Sequence, residues 1–356
     1  MKQAWREIQI LWKGSSAFRI ALSYLGLLLL AVLLLPWFPL SYGPNELDTL
    51  HLYQPPFMLP HLLGTDGLGR DVLANTLYGA RTAFLISIPV MVLSTMLGLA
   101  LGAGAGFYGD TGFRTSRWKL LLVLLGLLCV CYYWVYLPVQ LYSLASETEM
   151  LLLSFGAGAL LLVLLFVVLS VLKRFTPFLR RGATVPVDQL VLRLTEALST
   201  IPRFVLILVL ASFLPPSVLL LCLIISFTAW TGIARLARAE MMRIKQLPYF
   251  EAARSIGLNT RQLIWRQAMP NLLGPVLVAF TFGLGGLLAL ESTLSFLNIG
   301  VPTTLVSWGR TIANVRSNTA AWWLVAFPGG MLTLTILAFY TCSHYLSKVF
   351  SEKSRH

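Results

Sequence analysis

Long apolar runs separated by short polar segments dominate the pattern along the chain. Several runs reach the roughly 20 residues that a helix needs to cross a hydrocarbon core about 30 Å thick. Lipid offers no hydrogen-bond partner to free backbone groups, so each run is expected to be helical. The pattern predicts an all-α, polytopic integral membrane protein with about eight spans. The predicted spans lie near 18–40, 82–106, 120–143, 150–172, 189–214, 217–236, 271–296 and 322–346.

Composition supports a membrane protein and argues against a soluble one. Hydrophobic residues make up 57% of the 356 residues and charged residues 12%, whereas a soluble domain carries roughly 25% charged residues. The formal net charge is +13. The basic residues flank apolar runs, which orients spans and does not indicate nucleic-acid binding. The first run is long and lacks a clear small-x-small cleavage site, so we expect an uncleaved first span.

Lysine and arginine are concentrated on one face of this topology. They precede span one, follow span two, fill the segments between spans four and five and between six and seven, and close the chain. This face is expected to be the cytoplasm. Both termini are then cytoplasmic, whereas residues 43–80, 144–149 and 298–320 face outward.

The glycines of the second span predict a close helix contact. Gly98, Gly102 and Gly106 recur every four residues. A row of small residues at this spacing lets the backbone of a neighbouring helix approach closely.

A charged stretch, PYFEAARSIGLNTRQLIWRQAMPN at 248–271, interrupts the apolar pattern. Pro248 suits the first turn of a helix, and Gly257 suits the left-handed position at a helix C-terminus. Asn259 can cap a second helix. These signals predict a short helix, a sharp turn and a second helix leading into span seven. On shape alone the stretch is also compatible with a solvated amphipathic connector.

The residue order of this stretch resembles the EAA loop of ABC importer permeases. Met269-Pro270 stands where the family usually has Leu-Pro. The resemblance implies a coupling helix that docks in a groove of the ATP-hydrolysing subunit, with Ala252 and Ala253 as thin contact positions. The coupling residues it implies are Tyr249, Glu251, Ala252, Ala253 and Gly257.

A second motif, HLLGTDGLGRDVLANTLYGAR at 61–81, resembles the G-T-D-x-x-G-R-D signature of peptide and nickel importer permeases. Arg70 lies between two aspartates, which favours a turn held by charge-assisted hydrogen bonds. The segment either contacts a ligand or forms a structured outer loop without ligand contact. The residues assigned to this external motif are Gly64, Thr65, Asp66, Gly69, Arg70, Asp71 and Arg81.

A third segment, LALESTLSFLNIGVPTTLVSWGR at 288–310, resembles the E-A-S-L-S-F-L-G-L-G region of the same branch. An ionisable group within a span is costly, which makes Glu291 a functional candidate. Glu291 faces the translocation path with Ser292 and Ser295, or it pairs inside the bundle.

The resemblance covers roughly 15–110 and 187–346 and implies the fold of type I ABC importer permeases with two inserted spans. An even number of inserted spans leaves the downstream orientation unchanged. Tyr340 and His344 depart from the family's polar Asn and Asp near the C-terminus. The expected organisation is an N-terminal cytoplasmic segment and first span (1–45), an external loop (46–81), a permease core (82–112 and 187–346), an inserted two-helix hairpin (113–186) and a cytoplasmic tail (347–356).

The chain lacks residues that other classes of membrane protein need for their function. A membrane enzyme requires converging acid, base, nucleophile or metal groups, but the cysteines form no C-x-x-C pair and the four histidines are scattered, so no metal site is predicted. An ion-driven secondary transporter is the remaining alternative; it favours several intramembrane carboxylates and internal repeats, whereas this chain offers only Glu291 and Glu196 and no convincing repeat. The predicted function is a permease subunit of an importer of di- or oligopeptides, or of nickel or another small solute.

The cofactors and partners follow from the resemblance. The chain has no G-x-x-x-x-G-K-[ST] sequence, so it lacks a phosphate-binding loop. No cofactor is expected on this chain, and ATP and Mg²⁺ are expected in partner subunits. The implied partners are two ABC ATPase subunits, a second homologous permease, an extracytoplasmic solute-binding protein and the lipid of a bacterial inner membrane.

Overall fold

The structure, a computed structural model, describes residues 12, 14–37, 40–138 and 148–353. The helices are α1 Ser16–Leu34, α2 Val72–Tyr108, α3 Arg117–Val130, α4 Thr148–Phe175, α5 Pro177–Arg180, α6 Val187–Thr200, α7 Arg203–Ser212, α8 Val218–Lys245, α9 Pro248–Ser255, α10 Thr260–Gln262, α11 Met269–Phe296, α12 Trp308–Ala313 and α13 Trp323–Lys353. The strands are β1 Phe113–Ser116 and β2 Gly182–Val185. The π-helical segments Cys131–Tyr136 and Leu263–Ala268 follow α3 and α10, and the 3-10 turn Asn314–Ser317 follows α12.

Within the described residues, 7 helical stretches are long and apolar enough to cross a membrane, or up to 8 if the bent pair α6–α7 forms one span. The predicted all-α polytopic fold is therefore confirmed. Some helices exceed the predicted spans, since α2 already begins at Val72. Hydropathy detects only the apolar part of such a helix and misses its polar ends. Outside the described residues lie 1–11, 13 and 38–39 of the predicted N-terminal segment and first span (1–45), residues 139–147 of the predicted hairpin, and residues 354–356 of the predicted tail.

The fifth predicted span, 189–214, is not one straight helix. The chain bends by 78° between α6 and α7. Pro202 stands at the N-terminal cap of α7. Proline lacks the N–H that would continue α6 and disfavours a helical conformation in the preceding residue, so α6 ends at Thr200.

Two long helices, α2 and α8, make a close backbone contact within the first compact unit, residues 1–107 and 191–356. A Cβ atom added at Gly98 or Gly106 would lie 2.7 Å from a carbonyl oxygen of α8, and one at Gly102 would lie 2.2 Å from the carbonyl oxygen of Ala234. No side chain fits at these distances. The predicted close approach of a helix to this glycine row is confirmed.

The helices α11, α13 and α1 complete this unit. Residues of α2, α7, α8, α11 and α13 share one apolar core. The Ser343 hydroxyl of α13 donates to the Val278 carbonyl of α11 at 3.0 Å. Tyr24 of α1 forms a hydroxyl–hydroxyl bond of 3.0 Å with Thr335 of α13. These side-chain hydrogen bonds fix the helices relative to one another, because apolar helix surfaces alone give little preference for one arrangement in lipid.

The second unit, Tyr108–Leu190, contains α3, α4, α5 and the β1–β2 ribbon. The strands are antiparallel, with Phe113 opposite Val185 and Ser116 opposite Gly182. The ribbon therefore brings the two ends of the α3–α4 segment side by side. The unit encloses the predicted insertion 113–186, whose bounds relative to the family stay a prediction.

The ribbon predicts that the α3–α4 segment can be removed with little effect on the first unit. Residues 117–181 are replaced by Asn-Gly, a two-residue turn suited to antiparallel strands, between the paired Ser116 and Gly182. We expect the shortened chain to reach the membrane in near wild-type amount and to keep its thermal stability. Quantitative immunoblotting and thermal unfolding in detergent measure both.

A direct fusion of Ser116 to Gly182 is the matched control, because it removes the same residues but leaves no turn to close the ribbon. Equal loss of both shortened chains from the membrane would show that the first unit needs the second for its stability.

Candidate functional site

The connection between α8 and α11 contains a short helix that ends in a sharp turn. Pro248 occupies the first turn of α9. Gly257 has a φ of +83°, and the bonds Gly257 N–H to Arg254 C=O (3.1 Å) and Leu258 N–H to Ala253 C=O (3.3 Å) close the helix end. This pair of bonds is the Schellman motif, which favours glycine at the left-handed position. The predicted helix and its glycine terminator are confirmed.

A second cap turns the chain into the following helix. The Asn259 side chain accepts the Gln262 N–H at 2.9 Å, and the Gln262 side chain accepts the Asn259 N–H at 3.2 Å. This reciprocal pair is a capping box. A π-helical segment, Leu263–Ala268, then leads into α11. The predicted role of Asn259 is confirmed.

The two faces of α9 have different surroundings. Phe250 and Ala253 are 3% and 5% exposed and pack in an apolar cluster with residues of α2, α8 and α11. Tyr249, Glu251 and Ala252 are exposed. The expectation that Ala253 is a contact position for a partner is wrong, because its side chain lies in the core of its own chain. Tyr249, Glu251, Ala252 and Gly257 remain open to solvent.

Three polar contacts attach this connection to the bundle. The Lys245 ammonium, at the end of α8, donates to the carbonyls of Gly106 and Phe107 at 3.2 and 2.7 Å. These carbonyls belong to the last turn of α2, where a cation is favourable. Asn271 of α11 donates to the Tyr249 hydroxyl at 2.9 Å. Burial raises the pKa of Tyr249, and the bond from Asn271 opposes that shift.

Sequence reasoning did not identify Lys245 or Asn271 as functional residues. The partners of Lys245 lie more than a hundred positions earlier in the chain. The one local signal was a lysine in the last helical turn, which fits many arrangements.

The external motif forms a compact turn at the opposite end of α2. The Asp66 carboxylate accepts the backbone N–H groups of Leu68 and Arg70 at 2.9 and 3.0 Å. It also accepts the Arg70 guanidinium at 2.8 Å and the Asn314 amide at 3.0 Å. The predicted pinning of the turn by Arg70 therefore involves Asp66. Because Asn314 follows α12, Asp66 also joins the segments before α2 and after α12.

Thr65 and the motif glycines allow close backbone contacts. The Thr65 carbonyl accepts the Trp323 indole N–H at 3.0 Å, and its hydroxyl accepts the Gln54 N–H at 2.8 Å. Gly64 and Gly69 have φ angles of +81° and +76°. A Cβ atom on Gly69 would lie 1.8 Å from the Asp48 carbonyl oxygen, so this position accepts glycine alone. Arg81, by contrast, lies further along α2 and is exposed.

Asp71 joins the motif to a cluster of histidines. One carboxylate oxygen accepts the Ala74 N–H at 2.8 Å at the start of α2, and the other lies 3.0 Å from His61 Nδ1. Asp48 Oδ2 lies 2.8 Å from His51 Nδ1 and 3.3 Å from His61 Nε2. The His51 hydrogen bond is the main cause that lowers the pKa of Asp48 to about 2. The expectation that the histidines are scattered is therefore wrong for His51 and His61.

Glu291 lies inside the bundle. Glu291, Ser292 and Ser295 are 1%, 5% and 0% exposed. The carboxylate accepts the hydroxyls of Ser295 and Ser292 at 2.8 and 3.3 Å. Of the two readings of this residue, the geometry supports pairing inside the bundle, and in this chain the three residues do not line an open path. The serines satisfy a carboxylate that would be costly alone in an apolar helix.

Comparison with known proteins gives a family and several relatives. Residues 182–356 match the family described as the binding-protein-dependent transport system inner membrane component. The chain is 28% identical over 323 residues to a putative peptide transport system permease protein of Brucella suis biovar 1, covering 90% of this chain and 83% of the relative. It is 22% identical over 352 residues to the oligopeptide transport system permease protein OppC of Bacillus subtilis, covering 99% and 90%.

The geometry of the external motif predicts that Gly69→Ala disrupts the outer turn. The new Cβ atom collides with the Asp48 carbonyl, and the positive φ adds a strain of roughly 1 kcal/mol or more. We expect a clear fall in the melting temperature of the purified chain and faster proteolysis within 43–71. Gly104→Ala is the matched control, because a Cβ atom there meets nothing within 4 Å. Equal melting temperatures for both variants would contradict this packing.

Proposed function

We propose that the chain is the permease of an ATP-driven peptide importer, because residues 182–356 match the family described as the binding-protein-dependent transport system inner membrane component. As a member of that family, the chain would be a multi-pass protein of the inner membrane and a transport component. The peptide substrate is proposed from relatives named as peptide and oligopeptide permeases.

The observation that carries the coupling part of the proposal is the exposed face of α9. Tyr249, Ala252 and Ile256 follow a spacing of three and four residues, which places them on one side of the helix. Ile256 is 79% exposed. Phe250 and Ala253 each follow a residue of this stripe, so they point about 100° away from it and anchor α9 in the bundle. An apolar stripe exposed on an anchored helix, with Glu251 and Arg254 beside it, suits a groove on another protein.

The partner for this face is proposed to be an ATPase subunit. The chain has no G-x-x-x-x-G-K-[ST] sequence for ATP binding. ATP-driven closure of two such subunits would move α9, and three connections transmit the movement. Ala253 transmits it to the apolar cluster, the segment around Lys245 transmits it to α2 and α8, and Tyr249 transmits it to α11 through Asn271.

The remaining partners are proposed on the same grounds. A second, homologous permease would complete the translocation path, and a solute-binding protein would deliver peptides to the outer end. The hydrogen-bonded motif at 64–71 supports a rigid platform for that delivery. Both chain termini and α9 are proposed to be cytoplasmic, because lysine and arginine are concentrated near them.

The coupling proposal predicts that Ala252→Trp reduces transport without reducing the amount of protein. A bulky side chain on the exposed face blocks docking in a groove but removes no contact within the chain. We expect peptide uptake to fall at least tenfold and less ATPase to co-purify. Ala253→Trp is unsuitable, because it would disturb the buried cluster.

Ala159→Trp is the matched control, because it makes the same change at an exposed alanine of α4. Wild-type uptake and wild-type ATPase recovery by Ala252→Trp, at equal membrane levels, would refute a docking role for α9.

The proposed orientation predicts opposite accessibility for the two ends of α2. In a cysteine-free chain, Leu47→Cys and Thr260→Cys are treated with a membrane-impermeant maleimide. Leu47 is 58% exposed beside the external motif, and Thr260 is exposed after α9. We expect Leu47→Cys to react in intact cells and Thr260→Cys to react only after permeabilisation. Labelling of Thr260→Cys from outside intact cells would contradict the proposed topology.

A further inference from the structure

We propose that Asp48, His51 and His61 bind a divalent transition-metal ion such as Zn²⁺ at the outer end of the bundle. Each residue offers one ligand atom, and the three atoms all lie within 4.8 Å of one another. The site belongs to the segment before α2 and is separate from the coupling face of α9. The inference does not depend on which solute the chain transports.

The distances suit a tetrahedral ion. Two ligand atoms about 2.05 Å from a tetrahedral zinc are about 3.3 Å apart. Asp48 Oδ2 and His61 Nε2 are 3.3 Å apart. His51 Nδ1 lies 2.8 Å from the same oxygen, so a small rotation of the His51 side chain completes the three-ligand arrangement.

The hydrogen bonding of His61 leaves one nitrogen available for a metal. A neutral imidazole has a single N–H. His61 Nδ1 lies 3.0 Å from Asp71 Oδ1, and a proton on Nδ1 satisfies that carboxylate. Nε2 then directs a lone pair toward the Asp48 oxygen. The lone pairs of His61 Nε2 and Asp48 Oδ2 then repel each other, and a cation between these two atoms would be coordinated by both.

Asp71 has the position of an outer partner in a carboxylate–histidine–metal arrangement. Such partners fix the tautomer and orientation of the ligating ring. Asp71 directly precedes α2, and its second carboxylate oxygen accepts the Ala74 N–H. Asp71 is therefore held in place from the helix side. Tyr42 packs on the His61 ring at a centroid distance of 4.2 Å and limits its rotation.

The cluster is open on one side only. The side chains of His61, Asp48 and His51 are 0%, 17% and 40% exposed. The exposed His51 side gives an ion access from solvent and leaves room for water as a fourth ligand. Two imidazoles and one carboxylate favour zinc and neighbouring transition metals over Mg²⁺ and Ca²⁺, which prefer oxygen ligands.

A bound ion would fasten the outer segment to the base of α2. Asp48 and His51 lie in the segment before the external motif, and the Thr65 hydroxyl of that motif donates to the His51 carbonyl. His61 connects them to Asp71. Because the ion would bind the folded loop and not the extended chain, its binding would stabilise the loop by an amount that grows with the logarithm of the free ion concentration above Kd.

The test measures zinc binding by the full chain purified without a polyhistidine tag. Inductively coupled plasma mass spectrometry gives the metal content, and competition with a chromophoric chelator gives the affinity. We expect one Zn²⁺ per chain and an affinity at least 100-fold lower for His51→Ala. This partly exposed residue can be changed with little risk to folding. Hydrogen exchange of residues 43–71 should slow on adding Zn²⁺ to the wild type and stay unchanged in His51→Ala.

His344→Ala is the matched control, because His344 is exposed on α13 and lies outside the cluster. Its zinc affinity should equal that of the wild type. Substitution by Co²⁺ should give the visible spectrum of a four-coordinate site without thiolate charge-transfer bands, which excludes the cysteines as ligands. Three results would overturn the proposal: no stoichiometric zinc in the wild type, an unchanged affinity in His51→Ala, or a loss of affinity in His344→Ala.

Discussion

The contact between the backbones of α2 and α8 is the constraint on which the first unit depends. Lipid is as apolar as leucine, so burial of apolar side chains gives membrane helices little reason to associate. The glycine row of α2 allows a close backbone approach, and the Ala234 carbonyl occupies the space that a Cβ atom at Gly102 would need. This contact places the end of α8 beside the end of α2. Lys245 can then reach the last carbonyls of α2, and α9 begins from a defined position.

The two ends of α2 are built differently, and the difference fits a transporter that moves at one end. At the end that carries the external motif, side chains from distant segments meet the motif, as in the bonds from Asn314 to Asp66 and from Trp323 to Thr65. These bonds join the segment before α2 to the residues that follow α12 and to the start of α13. At the other end, α9 is anchored on one face and exposed on the opposite face. Under the proposed mechanism, force applied to α9 would reach the helices through a few contacts, whereas many contacts hold the end that carries the external motif.

Local features of the fold and of the candidate site could be predicted from the sequence. Gly257 and Asn259 act within one helical turn, so their roles as terminator and cap follow from nearby residues. The glycine row of α2 was recognisable from its spacing. The partners of Lys245, the burial of Ala253 and the meeting of His51 with His61 depend on the path of the chain between them. No local pattern contains that path. The break at Pro202 was locally visible, but the apolar run around it concealed the bend.

The two alanines of the E-A-A sequence have different roles, although the sequence presents them as a pair. Consecutive helical residues point about 100° apart, so Ala252 and Ala253 cannot both face the same surface. Ala253 packs inward with Phe250, whereas Ala252 lies outward with Tyr249 and Ile256. A small side chain inside lets α9 lie close to the bundle, and a small side chain outside leaves room for a groove. Alanine at both positions suits a helix held between two surfaces, one from its own chain and one from the proposed partner.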